Sequence, residues 1–234
     1  MTGITLLMET AVLKSDAARH LLVTAFELTL RRFGPQHWWP GDTPFEVMVG
    51  AILTQNTAWS NVERAIGNLK GAGVLSPERM MDLKPEELAE LIRPSGFYNL
   101  KAKRLRELLK LLVEEFSGDP QVMAESPGHT LRPILLGIRG VGPETADSIL
   151  LYALGKPFFV VDAYTKRILL RMGIGRSEWD YHQIQRLFME NLPADPALYN
   201  EFHALLVVTA KHHCRKRVAL CASCPLAGLC LWPR

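Results

Sequence analysis

Residues 135–154 read Leu135-Leu136-Gly137-Ile138-Arg139-Gly140-Val141-Gly142-Pro143-Glu144-Thr145-Ala146-Asp147-Ser148-Ile149-Leu150-Leu151-Tyr152-Ala153-Leu154. An apolar helix ends near Leu136, the chain turns through Gly140-Val141-Gly142, and Pro143 takes the favoured first position of a new helix. Two glycines around one apolar residue permit a positive-φ turn and close approach to another molecule. Backbone amides pointing outward at the following helix N-terminus would suit a phosphate oxygen.

Outward from this hairpin, helical periodicity dominates. Leu105, Leu108, Leu109, Leu112, Val113 and Phe116 form one apolar stripe, with Lys103, Arg104, Arg106, Lys110 and Glu114 on the other face. Similar stripes recur over 16–33, 45–54, 60–70, 84–92, 144–154, 163–172 and 198–210, separated by Gly/Pro/Ser turns. Period-two alternation is nearly absent, and the best strand candidate, Phe158 to Val161, is four residues long. The pattern predicts an all-α protein of about ten helices.

The bulk numbers are those of a soluble chain. Of 234 residues, 48% are hydrophobic and 22% charged, enough apolar material for one domain or two small ones. Net charge is only +3, so a nucleic-acid partner has to be argued from local patches. No apolar run reaches the ~18–20 residues of a membrane span, and the N-terminus does not read as a secretory signal. The expectation is a cytoplasmic, nucleoid-associated protein with no membrane partner.

Asp162 follows the apolar run Phe158-Phe159-Val160-Val161 and precedes the 163–172 stripe. Aspartate there is a good N-cap. It is also a carboxylate at a helix N-terminus, able to stabilise a developing sugar cation or orient a water. The capping role leaves the second oxygen available, so the two readings are compatible.

All four cysteines, Cys214, Cys221, Cys224 and Cys230, fall in the last 21 residues with the spacing C-x6-C-x2-C-x5-C. Structural zinc favours two tight hooks, whereas wider, uneven loops suit a [4Fe–4S] cluster with one cysteine per iron. Zinc and disulfide pairing remain the alternatives. The basic residues Lys211, Arg215, Lys216 and Arg217 lie beside or inside the first cysteine loop, and Lys101, Lys103 and Arg104 open the helix after Arg93-Pro94-Ser95-Gly96-Phe97-Tyr98-Asn99. Such side chains typically contact phosphates.

The hairpin, the Val160-Val161-Asp162 run and the cysteine tail together resemble the endonuclease III superfamily of helix–hairpin–helix DNA glycosylases. Trp38-Trp39-Pro40, Leu53-Thr54-Gln55-Asn56-Thr57 and Gly142-Pro143-Glu144-Thr145-Ala146-Asp147 resemble its 3-methyladenine DNA glycosylase III branch. The cysteines depart from that branch toward the parent family.

The resemblance implies two helical lobes, residues 43–155 and residues 1–42 with 156–234, flanking a DNA-binding groove. It also implies a monomer acting on double-stranded DNA with a damaged base rotated out of the stack. Gly140, Val141 and Gly142 would meet a phosphate, sometimes through a bound monovalent cation. Asp162 would face the reacting sugar, and Gln55 would fill the hole left by the expelled base.

In bifunctional relatives a lysine stands where this chain has Glu144. A carboxylate cannot form the imine needed for strand cleavage, so a monofunctional enzyme is expected. Trp38, Trp39, Trp59 and Glu144 are the candidate base pocket, since aromatic faces attract cationic alkylpurines. The alternatives are a bifunctional glycosylase for oxidised pyrimidines and a mismatch-specific enzyme for A·G or T·G pairs. A non-catalytic DNA-binding module is the reading that Asp162 opposes.

Overall fold

The computed structural model describes residues 15–38 and 41–232. Among them it is helical throughout, with no strand. The Phe158–Val161 run is an irregular connection instead, and its Phe159, Val160 and Val161 are buried. The helices are α1 (Asp16–Phe33), α2 (Pro44–Leu53), α3 (Trp59–Gly71), α4 (Pro77–Asp82), α5 (Pro85–Leu91), α6 (Tyr98–Phe116), α7 (Pro120–Glu125), α8 (Gly128–Gly137), α9 (Pro143–Ser148), α10 (Ala163–Met172), α11 (Tyr181–Asn191) and α12 (Pro196–His212). None is long and apolar enough to cross a membrane. The described residues divide into two compact units, one running up to Lys156 from residue 41, the other combining the residues up to Trp38 with those from Pro157 onward.

The first unit is built around α2. Thr43 caps it by accepting from the Glu46 amide at 3.1 Å, and Pro44 occupies the first turn. Nine of its ten residues are buried, which is why its sequence, Pro-Phe-Glu-Val-Met-Val-Gly-Ala-Ile-Leu, is apolar nearly all round. The long helix α6 packs on it through the predicted stripe. Leu105, Leu108, Leu109 and Leu112 are buried, and Val113 and Phe116 half-buried.

Helices α8 and α9 form the hairpin. Across it the Arg132 guanidinium donates to both oxygens of fully buried Asp147, at 2.7 and 3.0 Å. Removing one partner of such a pair would leave an uncompensated buried charge. Past Ser148 the helix widens into one π turn, Ile149–Ala153, before Gly155 turns the chain at φ 61°.

The second unit has an aromatic core. Phe159 stacks on Phe188 with ring centroids 3.7 Å apart, and Tyr199 and Phe202 meet Phe159 edge-on. Helix α12 supplies both of the latter and is buried along most of its length.

Lys101 corrects the sequence reading. It was expected on a DNA-facing surface, yet it is 1% exposed, and its ammonium donates to the carbonyls of Leu53 (2.8 Å) and Ser95 (2.6 Å). It closes the C-terminal end of α2, where helix carbonyls lack backbone partners, and is not available to a phosphate. Burial, helped by nearby Arg104, pushes its pKa down to about 8 from 10.5. The unfolded chain therefore binds more protons than the folded one between those two values, so this group adds stability as pH rises through that window. Urea unfolding of the wild type and Lys101→Met should show the wild type gaining on the variant from about pH 7.5 to about pH 10; a constant difference would contradict this placement.

Candidate active site

The hairpin turn is closed by the Val141 amide, which donates to the Ile138 carbonyl at 2.9 Å. That amide is thus turned inward and not free for a phosphate, contrary to the expectation of outward amides across Gly140–Gly142. The two glycines also differ. Gly140 has φ 89°, and a Cβ there would run into the Arg104 side chain, 2.8 Å from Cζ. Gly142 has ordinary extended backbone, φ −92°, and a Cβ there would meet only open space. A turn requirement explains the first glycine; close approach of another molecule remains as a reason for the second.

Gln55 lies in the loop after α2. Its Nε2 donates to the Gly140 carbonyl (3.1 Å) and to Thr145 Oγ1 (2.9 Å), while its Oε1 accepts from Arg104 Nη1. The structure thus brings Gln55, the hairpin and Arg104 together. It corrects Arg104 from a free phosphate-binding cation to one already engaged, with a buried Nε. Lys103, its neighbour, is exposed.

Glu144 is exposed in the first turn of α9, where helix amides favour an acidic side chain. Trp59 opens α3 half-buried. Its indole N–H donates to Glu63 Oε1 at 2.9 Å, beside a depression also lined by Asp42, Glu46 and Lys70. The Lys70 ammonium is salt-bridged to both of those carboxylates, at 2.6 and 2.8 Å.

In the other unit Asp162 caps α10. Its Oδ1 accepts from the Thr165 amide at 2.7 Å, and its side chain is 15% exposed. Its Oδ2 lies 3.7 Å from Nε2 of buried His203 on α12. Burial pulls the His203 pKa below the usual histidine value, opposed only in part by the Asp162 charge. The carboxylate is therefore not consumed by an imidazolium at neutral pH.

Trp38 is half-buried, with the Lys211 ammonium 5.9 Å from its ring centroid. Trp39 lies outside the described residues. No single unit holds both Trp38 and Trp59.

Cys214, Cys221, Cys224 and Cys230 line one cavity with Arg171, His213, Ala219, Ala227 and Trp232. Among the described residues no carboxylate borders it. Burial and the three neighbouring sulfurs push the Cys224 thiol pKa up, with the Leu226 amide opposing. Four thiolates gathered here would need a cationic body between them. Among the described residues no three His, Cys, Asp or Glu side chains converge on a single ion.

Two arginines of α10 hold this region. Arg167 Nε donates to the Cys214 carbonyl (2.8 Å). Arg171 donates to Cys214 Sγ (3.3 Å) and to the carbonyls of Arg215 (2.8 Å) and Lys216 (3.3 Å). Lys211, Arg215, Lys216 and Arg217 are exposed on the same stretch. Arg167, Arg171 and His203 were not singled out in the sequence. The arginines' i,i+4 spacing after Asp162 was the available signal, whereas nothing local marks a histidine inside an apolar helix.

With this geometry, the comparisons with known proteins are consistent. The family described as "HhH-GPD superfamily base excision DNA repair protein" matches residues 49–194. A Methanocaldococcus jannaschii protein named as a DNA repair glycosylase is 50% identical over 213 residues, spanning 90% of this chain and 96% of that protein. Endonuclease III of Bacillus subtilis is 29% identical over 187 residues, 80% of each. Among solved structures, H. pylori 3-methyladenine DNA glycosylase bound to 1,N6-ethenoadenine superposes with a TM-score of 0.71 at 32% identity, over 81% of this chain and 95% of that one.

The two hairpin glycines should separate experimentally. Gly140→Ala is expected to lose roughly 1–3 kcal/mol from the positive φ alone, and more from the Arg104 clash. Gly142→Ala should leave stability unchanged or raise it by about 0.4–1 kcal/mol, while weakening DNA binding. Urea unfolding and a fluorescence binding titration check both; equal stability losses would contradict the assignment.

Proposed function

The chain belongs to the HhH-GPD superfamily of base excision DNA repair proteins and is a DNA glycosylase of that family; from this premise we propose that it is a monofunctional enzyme releasing alkylated purines, 3-methyladenine among them, to leave an abasic site. The carrying observation is Glu144, which occupies the first turn of α9 two residues after Gly142. A lysine there could attack the sugar and form an imine; a carboxylate cannot. Similarity to the H. pylori 3-methyladenine enzyme supports the substrate class.

In this reading Asp162 does the electrostatic work. Its Oδ1 is held by the Thr165 amide, which leaves Oδ2 to stabilise positive charge on the sugar as the glycosidic bond breaks. An N-alkylated purine already carries positive charge, so it departs neutral with the bonding electrons and needs little acid assistance. Water then adds its oxygen to C1′ and loses a proton, giving the abasic hydroxyl. Trp59 would wall the flipped base by aromatic–cation attraction.

On the DNA side, the hairpin would approach a phosphate at Gly142, and Gln55 would enter the duplex. Lys103, Lys211, Arg215, Lys216 and Arg217 would supply salt-dependent backbone affinity. The four cysteines would hold a [4Fe–4S] cluster, whose iron–thiolate bonds supply an anchor for the basic loop. A polynuclear body suits four thiols spread around one cavity better than a single zinc ion does. The enzyme would act as a monomer, at the nucleoid in the cytoplasm.

A panel of duplexes, each carrying one lesion, tests this reading. The wild type should release 3-methyladenine and related alkylpurines faster than oxidised pyrimidines or the adenine of A·G pairs. Asp162→Asn should bind the same duplexes and release at least about a hundredfold more slowly, in line with loss of a charge-stabilising group. Preferential release of an oxidised pyrimidine, or an active Asp162→Asn, would overturn it.

A further inference from the structure

Arg104 stands on α6 where the sequence suggests a phosphate contact, yet its guanidinium is spent inside the protein. Its side chain lies against the bare face of Gly140, where an added Cβ would come within 2.8 Å of Cζ and 2.9 Å of Cδ. Its Nη1 donates to Gln55 Oε1, and its Nε is buried with no hydrogen-bond partner. The other end of the Gln55 amide donates to the Gly140 carbonyl and to Thr145 Oγ1. Both ends of that amide are therefore committed, the oxygen to α6 and the nitrogen to the hairpin. This pattern also fixes which end is which, since only the oxygen can accept from Arg104.

We propose that Arg104 is a positioning residue that locks Gln55 to the hairpin, so that seating the hairpin on a phosphate and delivering Gln55 into the duplex are one rigid placement. The inference rests on the reading above that the hairpin and Gln55 face DNA. Without Arg104, Gln55 is a long, rotatable side chain on a loop that contains a left-handed residue, Asn56 at φ 54°. It would then have to be ordered afresh at each encounter. With Arg104, part of that ordering is complete before DNA arrives, which is the general route by which preorganisation raises a rate. Gly140 belongs to the same device: any larger residue would displace the Arg104 head and with it the donor to Gln55. A lysine cannot replace it, because an ammonium on a flexible stem lacks the planar fork that lies against Gly140 while reaching Gln55.

The proposal and the simple phosphate-contact reading differ in what they do to salt dependence. The experiment compares Arg104→Ala, Arg104→Lys, Gln55→Ala and the Arg104→Ala/Gln55→Ala double variant. Each is measured for single-turnover release of 3-methyladenine at saturating enzyme, and for duplex affinity across a salt series. Thermal unfolding confirms folding, and Arg104→Lys, which keeps the stem and charge, carries the test if Arg104→Ala does not fold. The expected result is release slowed at least about tenfold in both Arg104 variants, the scale of a misplaced active-site group. The salt slope should be unchanged, and the double variant no slower than the slower single. A salt slope reduced by about one, with normal behaviour restored by lysine, would make Arg104 a phosphate contact and overturn the proposal. Independent, multiplying effects in the double variant would overturn it too. Failure of the underlying reading looks different: Gln55→Ala would then release base at the wild-type rate.

Discussion

A side chain at Gly140 would occupy the space in which the Arg104 guanidinium lies, and that constraint reaches through the hairpin's whole unit. It requires glycine at a positive-φ position. It also lets α6 reach the loop that follows α2. Lys101 and Arg104, three residues apart and so on neighbouring turns of one face, grip consecutive parts of that segment. Lys101 holds the Leu53 carbonyl at the end of α2, and Arg104 holds the Gln55 side chain two residues on. Two cations that look like a DNA-binding pair in the sequence are thus the inner struts of the element that carries Gln55. The exposed charge of that helix start rests with Lys103.

The chemistry proposed above would draw on a second economy, the two oxygens of one carboxylate. Asp162 uses Oδ1 to satisfy the Thr165 amide at the start of α10, which fixes the carboxylate's orientation as a by-product of helix capping. Oδ2 lies beside a buried histidine whose pKa burial pulls down. With Glu144 rather than a lysine after the hairpin, no amine nucleophile stands at that position. A fixed negative charge is sufficient where the leaving base is already cationic, which ties the site's simplicity to the proposed class of substrate.

Much of this was legible in the sequence, and the limits have physical causes. The hairpin was readable because glycine spacing and Pro143 are local signals. The Asp162 cap was readable because a cap before an apolar stripe is local too, and the gathering of the cysteines around one cavity because all four fall in one short segment. The basic residues were misread where burial decides their role: composition cannot tell that Lys101 folds under α2 while Lys103 faces solvent. His203 lies forty-one residues after Asp162 in an apolar helix, so only the fold could bring its ring to the carboxylate. The inward Val141 amide was missed for a related reason, because a glycine-rich turn is permissive and its hydrogen bonds are chosen by the flanking helices.

The most direct test of the central claim is to count two products of one reaction. A duplex carrying a single 3-methyladenine would be incubated with the enzyme, and free base and strand breaks would be quantified before any alkali is added. The account predicts stoichiometric base release with the backbone intact until alkali cleaves the abasic site. Strand breaks appearing in step with the released base would contradict it, because they would require an amine nucleophile that Glu144 does not provide.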